Sequence, residues 1–173
     1  MTEASKRGAD RRPATEREAA VLASAVRLRI IRLAAHRPLT NRELAQRLGR
    51  DPATTLHHVR RLVDTGFLMA LPARRGTRGS REIPYQSTGL SWQLDNVGKR
   101  EAVAEAMFEA FLGEIADTGF ADLRQIRLVM RLDADQRAEL ENRLYAVIDE
   151  FAARQAIDSG ERFALYLALY PSA

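Results

Sequence analysis

Apolar positions along this chain follow two different periods. Between residues 15 and 66 they recur every three to four positions, which predicts amphipathic helices. The pattern predicts a helix pair over 15–35 that breaks near Ser24, a short helix after Thr40, and a longer helix over 52–65. From residue 67 onward, stretches that alternate apolar and polar residues also appear, and these predict strands.

The ends of the two later helices are marked by residue types with a physical role. Thr40 and Glu43 form a capping-box pattern, and Gly49 is suited to the turn that ends the short helix. Asp51 can accept hydrogen bonds from the first turn of the longer helix, and Pro52 has its φ preset for that turn. Two helices joined by so short a turn predict a helix-turn-helix.

The longer helix has one apolar face and one polar face. Thr55, Val59 and Leu62 fall on a single stripe that we expect to face the core. The opposite side carries small, imidazole and guanidinium side chains, which suit contact with base edges and phosphates. Its members are Ala53, His57, Arg60 and Arg61, with Thr54 and Leu56 at the flanks. His58 lies nearer the buried side and is compatible with either environment.

A hairpin is predicted next, with strands over 67–71 and 81–88. The loop between them is rich in glycine, proline and arginine. This composition predicts a wing beside the helix over 52–65, which we call the reading helix. Its arginines are Arg74, Arg75, Arg78 and Arg81. An ordinary charged loop has the same composition, but the position next to a reading helix favours contact with DNA backbone or minor groove. Pro84 predicts that the second wing strand is an edge strand.

Beyond Ser91 the pattern predicts a helix, strand, helix and strand over 99–118, 124–132, 134–156 and 162–170. The first helix has an apolar face that we assign to packing, in the core or between two chains, rather than to a ligand site. As dimerisation residues we take Val103, Met107, Phe108, Phe111, Leu112 and Ile115. Because two strands alone are marginally stable, we expect two chains to combine these elements.

Charge is distributed unevenly between the two halves. Residues 1–90 hold 18 basic and 8 acidic side chains, hence a net charge of +10, and residues 91–173 hold 9 and 15, hence −6. A basic half joined to an acidic half is typical of a chain in which only one module faces a polyanion. The sequence therefore predicts a DNA-binding module at 15–90 after a disordered tail at 1–14, and a dimerisation or effector module at 91–173.

Composition narrows the chemistry further. The chain has no cysteine and three histidines, so no thiolate metal site or disulfide can form, and a reducing cytoplasm is the expected location. No phosphate-cradling glycine loop, zinc-hydrolase spacing or nucleophile elbow occurs, and we expect neither an enzyme nor a cofactor. No apolar run reaches membrane-spanning length.

Several of these stretches together resemble the ArsR-type winged helix-turn-helix repressors: Val26–Ile31, Leu39–Gly49, Ala53–Leu62, Gly66–Leu68 and the arginine-rich wing. The resemblance spans about residues 15–88. It implies a dimer that binds a pseudo-palindromic operator and represses nearby genes, and it places the base-reading positions at Thr54, Leu56, His57 and His58. Leu56 departs from the small polar residue common there, which suggests contact with a thymine methyl or a position turned partly into the core. The absence of cysteine departs from relatives that sense metals.

We therefore expect a mainly helical protein with small sheets, acting as a homodimeric DNA-binding regulator. The predicted DNA contacts are the four base-reading positions, Arg60, Arg61, the four wing arginines and Arg42 of the preceding helix. A small-molecule effector for the second module is left open. The alternative is a winged helix that serves as a protein-interaction or assembly module.

Overall fold

The computed structural model describes residues 11–76, 81–121, 123–154, 160 and 163–172. The helices are α1 (Glu16–Leu22), α2 (Ala25–Leu33), α3 (Asn41–Leu48), α4 (Pro52–Asp64), α5 (Glu101–Thr118) and α6 (Ala134–Ala152). The strands are β1 (Arg12–Pro13), β2 (Leu39–Thr40), β3 (Leu68–Ala70), β4 (Arg74–Arg75), β5 (Arg81–Glu82), β6 (Pro84–Ser87) and β7 (Leu94–Asp95). Single-turn 3-10 helices cover Leu90–Gln93 and Val97–Lys99. The predicted class, mainly helical with small sheets and a winged helix-turn-helix, is confirmed.

Residues Arg12–Phe120 form one compact unit. Helices α1 to α4 surround a core whose largest fully buried side chains include Leu22, Ile30, Leu44 and Phe67. A three-stranded antiparallel sheet of order β2-β6-β3 closes one side of that core. The sheet ties the link before α3 to the strand that follows α4, and so sets the frame that holds the helix-turn-helix.

Pro84 lies in the central strand of this sheet, so the prediction of an edge strand was wrong. Proline is tolerated because it is the first residue of β6, where only one donor is lost. Its carbonyl still accepts a hydrogen bond from the Leu71 backbone N–H at 2.8 Å.

The predicted starts of α2, α3 and α4 are confirmed. Capping boxes are present at Thr15 with Glu18 and at Thr40 with Glu43. Ser24 is the N-cap residue of α2, although its side chain makes no capping hydrogen bond.

The ordered fold begins earlier than predicted at its N-terminal side. Arg12 and Pro13 form β1, which pairs in parallel with Leu94 and Asp95 of β7. Ala14 is buried in the core, and the Arg12 guanidinium donates to the Glu18 carboxylate at 2.5 Å. The tail predicted over 1–14 is therefore wrong for residues 12–14, and residues 1–10 lie outside the described part of the chain.

Helix α5 belongs to the same compact unit as the winged helix, although composition placed the module boundary at Ser91. It buries a face of small side chains, Val103, Ala106 and Ala110, while Arg29 of α2 lies against Gly113. Ion pairs from Arg29 to Asp117 and from Arg32 to Glu114 join α2 to α5. The compact unit therefore extends to Phe120. The division of function between the two halves of the chain stays a prediction.

Residues 121–173 form the second unit together with Met1–Arg11, of which only Arg11 is described, and α6 is the only helix among the described residues of this unit. Asp133 and Gln136 form the predicted capping box at its start. The described residues of 124–132 and 163–170 are assigned to no strand, so the helix-strand-helix-strand order is wrong for the single chain. Alternating apolar and polar residues identify a segment that is suited to a sheet. A strand forms, however, only when a neighbouring strand provides backbone hydrogen-bond partners.

Candidate nucleic-acid interface

Helix α4 is oriented by a buried stripe along one side. Thr55, Val59 and Leu62 are fully buried, as the 3.6-residue period predicts. The Asp51 carboxylate accepts from the backbone N–H groups of Ala53 and Thr54 at 2.9 and 3.0 Å, which lowers the pKa of Asp51. The cap and the stripe together define which side of α4 faces outward.

The outward side of α4 is exposed and mainly cationic, with one carboxylate, Asp64, at its last residue. Thr54, His57, Arg60 and Arg61 are exposed and Leu56 is half-buried. No acidic residue occurs from Pro52 to Val63. The exposed face therefore offers two guanidinium groups, an imidazole and a hydroxyl, all of which can hydrogen-bond to acceptors on DNA.

His58 occupies a different environment from His57. It is half-buried, and no described group hydrogen-bonds to its Nδ1. Burial lowers the pKa of His58, and the nearby charges of Arg27, His57, Arg50 and Arg61 lower it further. His58 is therefore a neutral imidazole at pH 7, and its buried side faces the protein.

Arg27 on α2 and Arg50 in the turn were missed by the sequence reasoning. The Arg27 guanidinium donates to the backbone carbonyls of Val21 and Ala20 at the end of α1, and burial and Arg61 lower its pKa. Arg50 is exposed directly before the cap of α4. The position of Arg50 in the turn was a usable signal, whereas the approach of Arg27 to α4 depends on tertiary packing.

The turn between α3 and α4 is held by a side-chain contact. The Asn41 amide donates to the Pro52 carbonyl at 2.8 Å, and Gly49 adopts a left-handed φ of 60° that favours glycine. Arg42 is exposed on the first turn of α3. This contact helps to fix the angle between α3 and α4, and therefore the direction in which the exposed face of α4 points.

The wing stem is a two-stranded ladder of β4 and β5. Arg75 lies directly opposite Arg81, and Arg74 lies opposite Glu82. Arg74 also pairs with Glu43 of α3 at 3.4 Å, and hydrogen bonds from Thr40, with that charge, lower the pKa of Glu43. Arg78 lies outside the described residues.

The structure brings Arg74, Arg75 and Arg81 together at the wing stem. Like charges placed directly across a ladder destabilise it. The Arg75–Arg81 pair therefore does not stabilise the wing stem.

The predicted dimerisation residues divide between two sides of α5. Val103 is 2% exposed and packs in the core of its own chain, so its assignment to the dimer contact was wrong. Met107, Phe108 and Leu112 are 40%, 50% and 50% exposed, and Phe111 and Ile115 are half-buried. Helix α5 has apolar side chains on two sides. The periodicity of the sequence therefore does not show which of the two sides packs against the rest of its own chain.

The described residues show neither a candidate metal site nor a candidate membrane span. They contain no group of three or more histidine and carboxylate side chains arranged to hold a metal ion. No helix among them is both long enough and apolar enough to cross a bilayer.

Residues 26–69 match a family model described as winged helix-turn-helix DNA-binding. A comparison with curated proteins found no match. Among solved structures, an apo mutant of ZitR from Lactococcus lactis is 19% identical, with 75% of this chain and 83% of that chain covered and a TM-score of 0.33. A mutant of MarR from E. coli complexed with operator DNA is 22% identical, with 78% and 76% covered and a TM-score of 0.33. The transcriptional regulator SlyA is 14% identical, with 73% and 78% covered and a TM-score of 0.31.

These scores are too low to define the arrangement of the whole chain. The family match covers α3, α4 and the turn between them, and it reaches into β3. The ArsR subtype is not confirmed by these comparisons. Residues 26–69 are therefore similar to winged helix-turn-helix DNA-binding domains, and the structure has the helix-turn-helix within this range.

Proposed function

We propose that this protein is a homodimeric, sequence-specific DNA-binding transcriptional regulator that acts as a repressor. One observation carries the proposal: the exposed face of α4 carries His57, Arg60 and Arg61 and a single carboxylate at the last residue of the helix, and it belongs to the same domain as an arginine-bearing hairpin. A helix of this kind fits the major groove, and a basic hairpin suits the adjacent backbone or minor groove. Repression is what the ArsR resemblance implies.

Base reading is assigned to Thr54, Leu56 and His57, and phosphate contact to Arg60, Arg61 and Arg42. Hydroxyl and imidazole groups can hydrogen-bond to base edges, and Leu56 offers an apolar contact for a thymine methyl. Guanidinium groups neutralise phosphates and position the helix without reading sequence. His58 supports the helix from its inner side, and its half-buried ring reaches DNA with one edge at most.

The wing arginines act mainly through charge. Arg75 and Arg81 repel one another across the ladder, and a phosphate between or beside them relieves that repulsion. Arg74 exchanges its contact with Glu43 for a phosphate. Arg78, which the sequence places in the predicted wing loop, is assigned the same role.

Dimerisation is assigned to the outer side of α5, with Met107, Phe108 and Leu112 at its centre. Exposed apolar side chains clustered on one helix face are typical of a protein contact. A two-fold dimer presents two copies of α4 to successive major grooves ~34 Å apart.

Selection of binding sites from random duplexes by the purified protein tests the proposal. We expect an enriched motif with two related half-sites whose centres are ~10 base pairs apart, or a multiple of that. His57→Ala should change the preferred base at one position, whereas Arg61→Gln should weaken binding to all sequences. Recovery of no motif would contradict sequence-specific reading and favour a protein-interaction module that presents its basic face to an acidic partner.

A further inference from the structure

The stretch 163–170 has the composition of a strand but belongs to none of the sheets formed by the described residues. Its sequence, Phe-Ala-Leu-Tyr-Leu-Ala-Leu-Tyr, places three leucines on one face. Leu165, Leu167 and Leu169 are 57%, 40% and 44% exposed. None of the three sheets in the described residues includes this stretch.

The unit that contains this stretch has no buried core of its own. No described residue from 123 to 172 is buried, and α6 buries none of its 19 residues. A cleft of about 240 Å³ lies among Leu128, Leu132, Leu140 and Leu169. The large apolar side chains of this unit together expose on the order of 1,000 Å², more than the ~800 Å² that each partner buries in a standard protein interface. An apolar surface of this extent is sufficient for a stable protein contact.

Charge distinguishes the two strand-like stretches of the unit. The stretch 124–132 carries Arg124, Arg127 and Arg131, whereas 163–170 carries no charged side chain. Charged residues on a sheet edge prevent pairing with another edge, and an uncharged apolar edge invites it. When a strand pairs with its own copy, identical residues lie near one another, so self-pairing of 124–132 would bring arginines together. The uncharged stretch carries no such penalty.

We propose that residues 163–170 of two copies of this chain pair as antiparallel strands across a two-fold axis. Antiparallel pairing satisfies the symmetry of a dimer because each strand meets an identical strand in the reversed direction. The arginine-bearing stretch then forms the protected outer edge of the joint sheet, and α6 covers its leucine face. This inference rests on the proposed dimeric regulator and names a contact beyond the outer face of α5.

Disulfide scanning in solution tests the pairing directly, because the chain contains no cysteine to interfere. Single variants Ala164→Cys, Leu165→Cys, Leu167→Cys and Ala168→Cys are oxidised mildly and run on denaturing gels without reductant. Disulfides require Cα atoms ~4.4–6.8 Å apart, so only positions next to the two-fold axis should cross-link, with yield falling on both sides. Gln125→Cys and Leu128→Cys, in the arginine-bearing stretch, are the matched controls and should stay monomeric on the gel. Absence of cross-linking at all four positions, or equal cross-linking in the controls, would overturn the proposal.

A charged substitution gives an independent readout that does not need a disulfide. Leu167→Lys should raise the dimer dissociation constant at least tenfold in sedimentation or light scattering, while Gln125→Lys should leave it unchanged. Circular dichroism verifies that the Leu167→Lys variant keeps its helices, and the cysteine scan decides the question if it does not. An unchanged dissociation constant for folded Leu167→Lys would overturn the pairing.

Binding to a duplex with one half-site separates this inference from the proposed function. Leu167→Lys should bind such a duplex as the wild type does, because α4 is untouched. Normal cross-linking without any DNA motif would refute the regulator while leaving the strand contact intact. A motif and a dimer without cross-linking would refute the strand contact alone.

Discussion

His57 and His58 are neighbours in the sequence, but α4 places them in different environments. Successive residues of a helix point ~100° apart, so one imidazole is exposed while the other turns toward Arg27 and the protein. The half-buried ring stays neutral, because burial and four nearby cationic or imidazole groups disfavour its charged form.

The lowered pKa of His58 predicts how stability depends on pH. The unfolded chain binds the proton first, so stability is greatest above ~6.5, the ordinary histidine pKa, and declines as the pH falls through that value toward the folded pKa. Chemical denaturation between pH 7.5 and 5 should show this decline, and His58→Gln should reduce it. His57→Gln is the matched control and should keep the decline, because His58 is still present. Equal slopes for wild type and His58→Gln would contradict the assignment.

Glu18 illustrates a carboxylate that contributes to folding rather than to the interface. Hydrogen bonds from the Arg12 guanidinium, opposed by desolvation and aided by Thr15, lower the pKa of Glu18 to about 2. The stabilisation is full above the ordinary glutamate pKa and is lost as the pH falls from ~4.5 toward 2. Glu18→Gln should lower the free energy of unfolding at pH 7 by about 1–2 kcal/mol.

The matched control for Glu18 is Glu16→Gln, two residues earlier. Its carboxylate is 88% exposed and pairs with Arg100 at 2.8 Å. A surface pair of this kind contributes at most ~1 kcal/mol. Equal losses at the two positions, measured by denaturant titration, would argue against a special role for the Arg12–Glu18–Thr15 cluster.

At the scale of elements, the wing and α5 each have a feature that folding alone does not explain. The wing stem sets Arg75 against Arg81, and α5 leaves large apolar side chains exposed after burying its small ones. In both cases the element is less stable by itself than it could be. The proposed function assigns a partner to each, DNA to the wing and a second chain to the helix.

Neutralising the wing stem should affect stability and DNA binding in opposite directions. Arg75→Gln with Arg81→Gln removes like charges across the ladder, so thermal stability should stay equal or rise slightly. DNA affinity should fall for all sequences, and the slope of log K against log salt should become shallower by ~0.9 per lost phosphate contact. Arg143→Gln on α6 is the control and should leave the slope unchanged. If the double wing variant kept the wild-type salt slope, the wing would not be part of the DNA interface.

The two faces of α5 should respond differently to substitution. Val103→Ala removes buried methyl groups and should lower the free energy of unfolding by about 1–3 kcal/mol at any protein concentration. Leu112→Glu should instead weaken the dimer, so its effect on the melting temperature should grow with protein concentration. Melting curves over a hundredfold concentration range separate the two behaviours. A concentration-independent effect of Leu112→Glu would contradict the dimer contact.

At the scale of the whole molecule, the proposed function requires two copies of the DNA-binding unit to act together. The chain combines a basic half with a net charge of +10 and an acidic half with a net charge of −6. The basic half is suited to a polyanion, and the acidic half is repelled by it. This polarity favours binding with residues 1–90 toward the duplex.

Operator geometry provides the test at this scale. Inserting ~5 base pairs between the half-sites of a selected operator rotates them to opposite sides of the duplex, whereas inserting ~10 restores the same side. Fluorescence anisotropy should show affinity reduced at least tenfold by the shorter insertion and partly recovered with the longer one. A single half-site serves as the reference for independent binding. Equal affinity for all spacings would contradict a dimer that grips both half-sites.

Much of the DNA-binding unit was predictable from the sequence because its signals are local. Capping residues at Thr15, Thr40, Asp51 and Asp133 act on N–H groups a few positions away, and helical period alone identifies the buried stripe of α4. The wing followed from its turn residues and alternation. Local chemistry of this kind is independent of how distant segments pack.

Tertiary structure decided the features that depend on distant partners. The central position of β6, the ordering of Arg12–Ala14 by β7, and the burial of Val103 against its own chain all involve residues far apart in sequence. The strands expected over 124–132 and 163–170 do not form in the single chain, because a strand needs a neighbour and alternation does not supply one. The sequence alone determined the helices, their caps and which face of α4 is exposed, since these arise within a few turns of chain. Only the fold determined which apolar surfaces were already covered and which were left exposed, because burial depends on every segment that packs nearby.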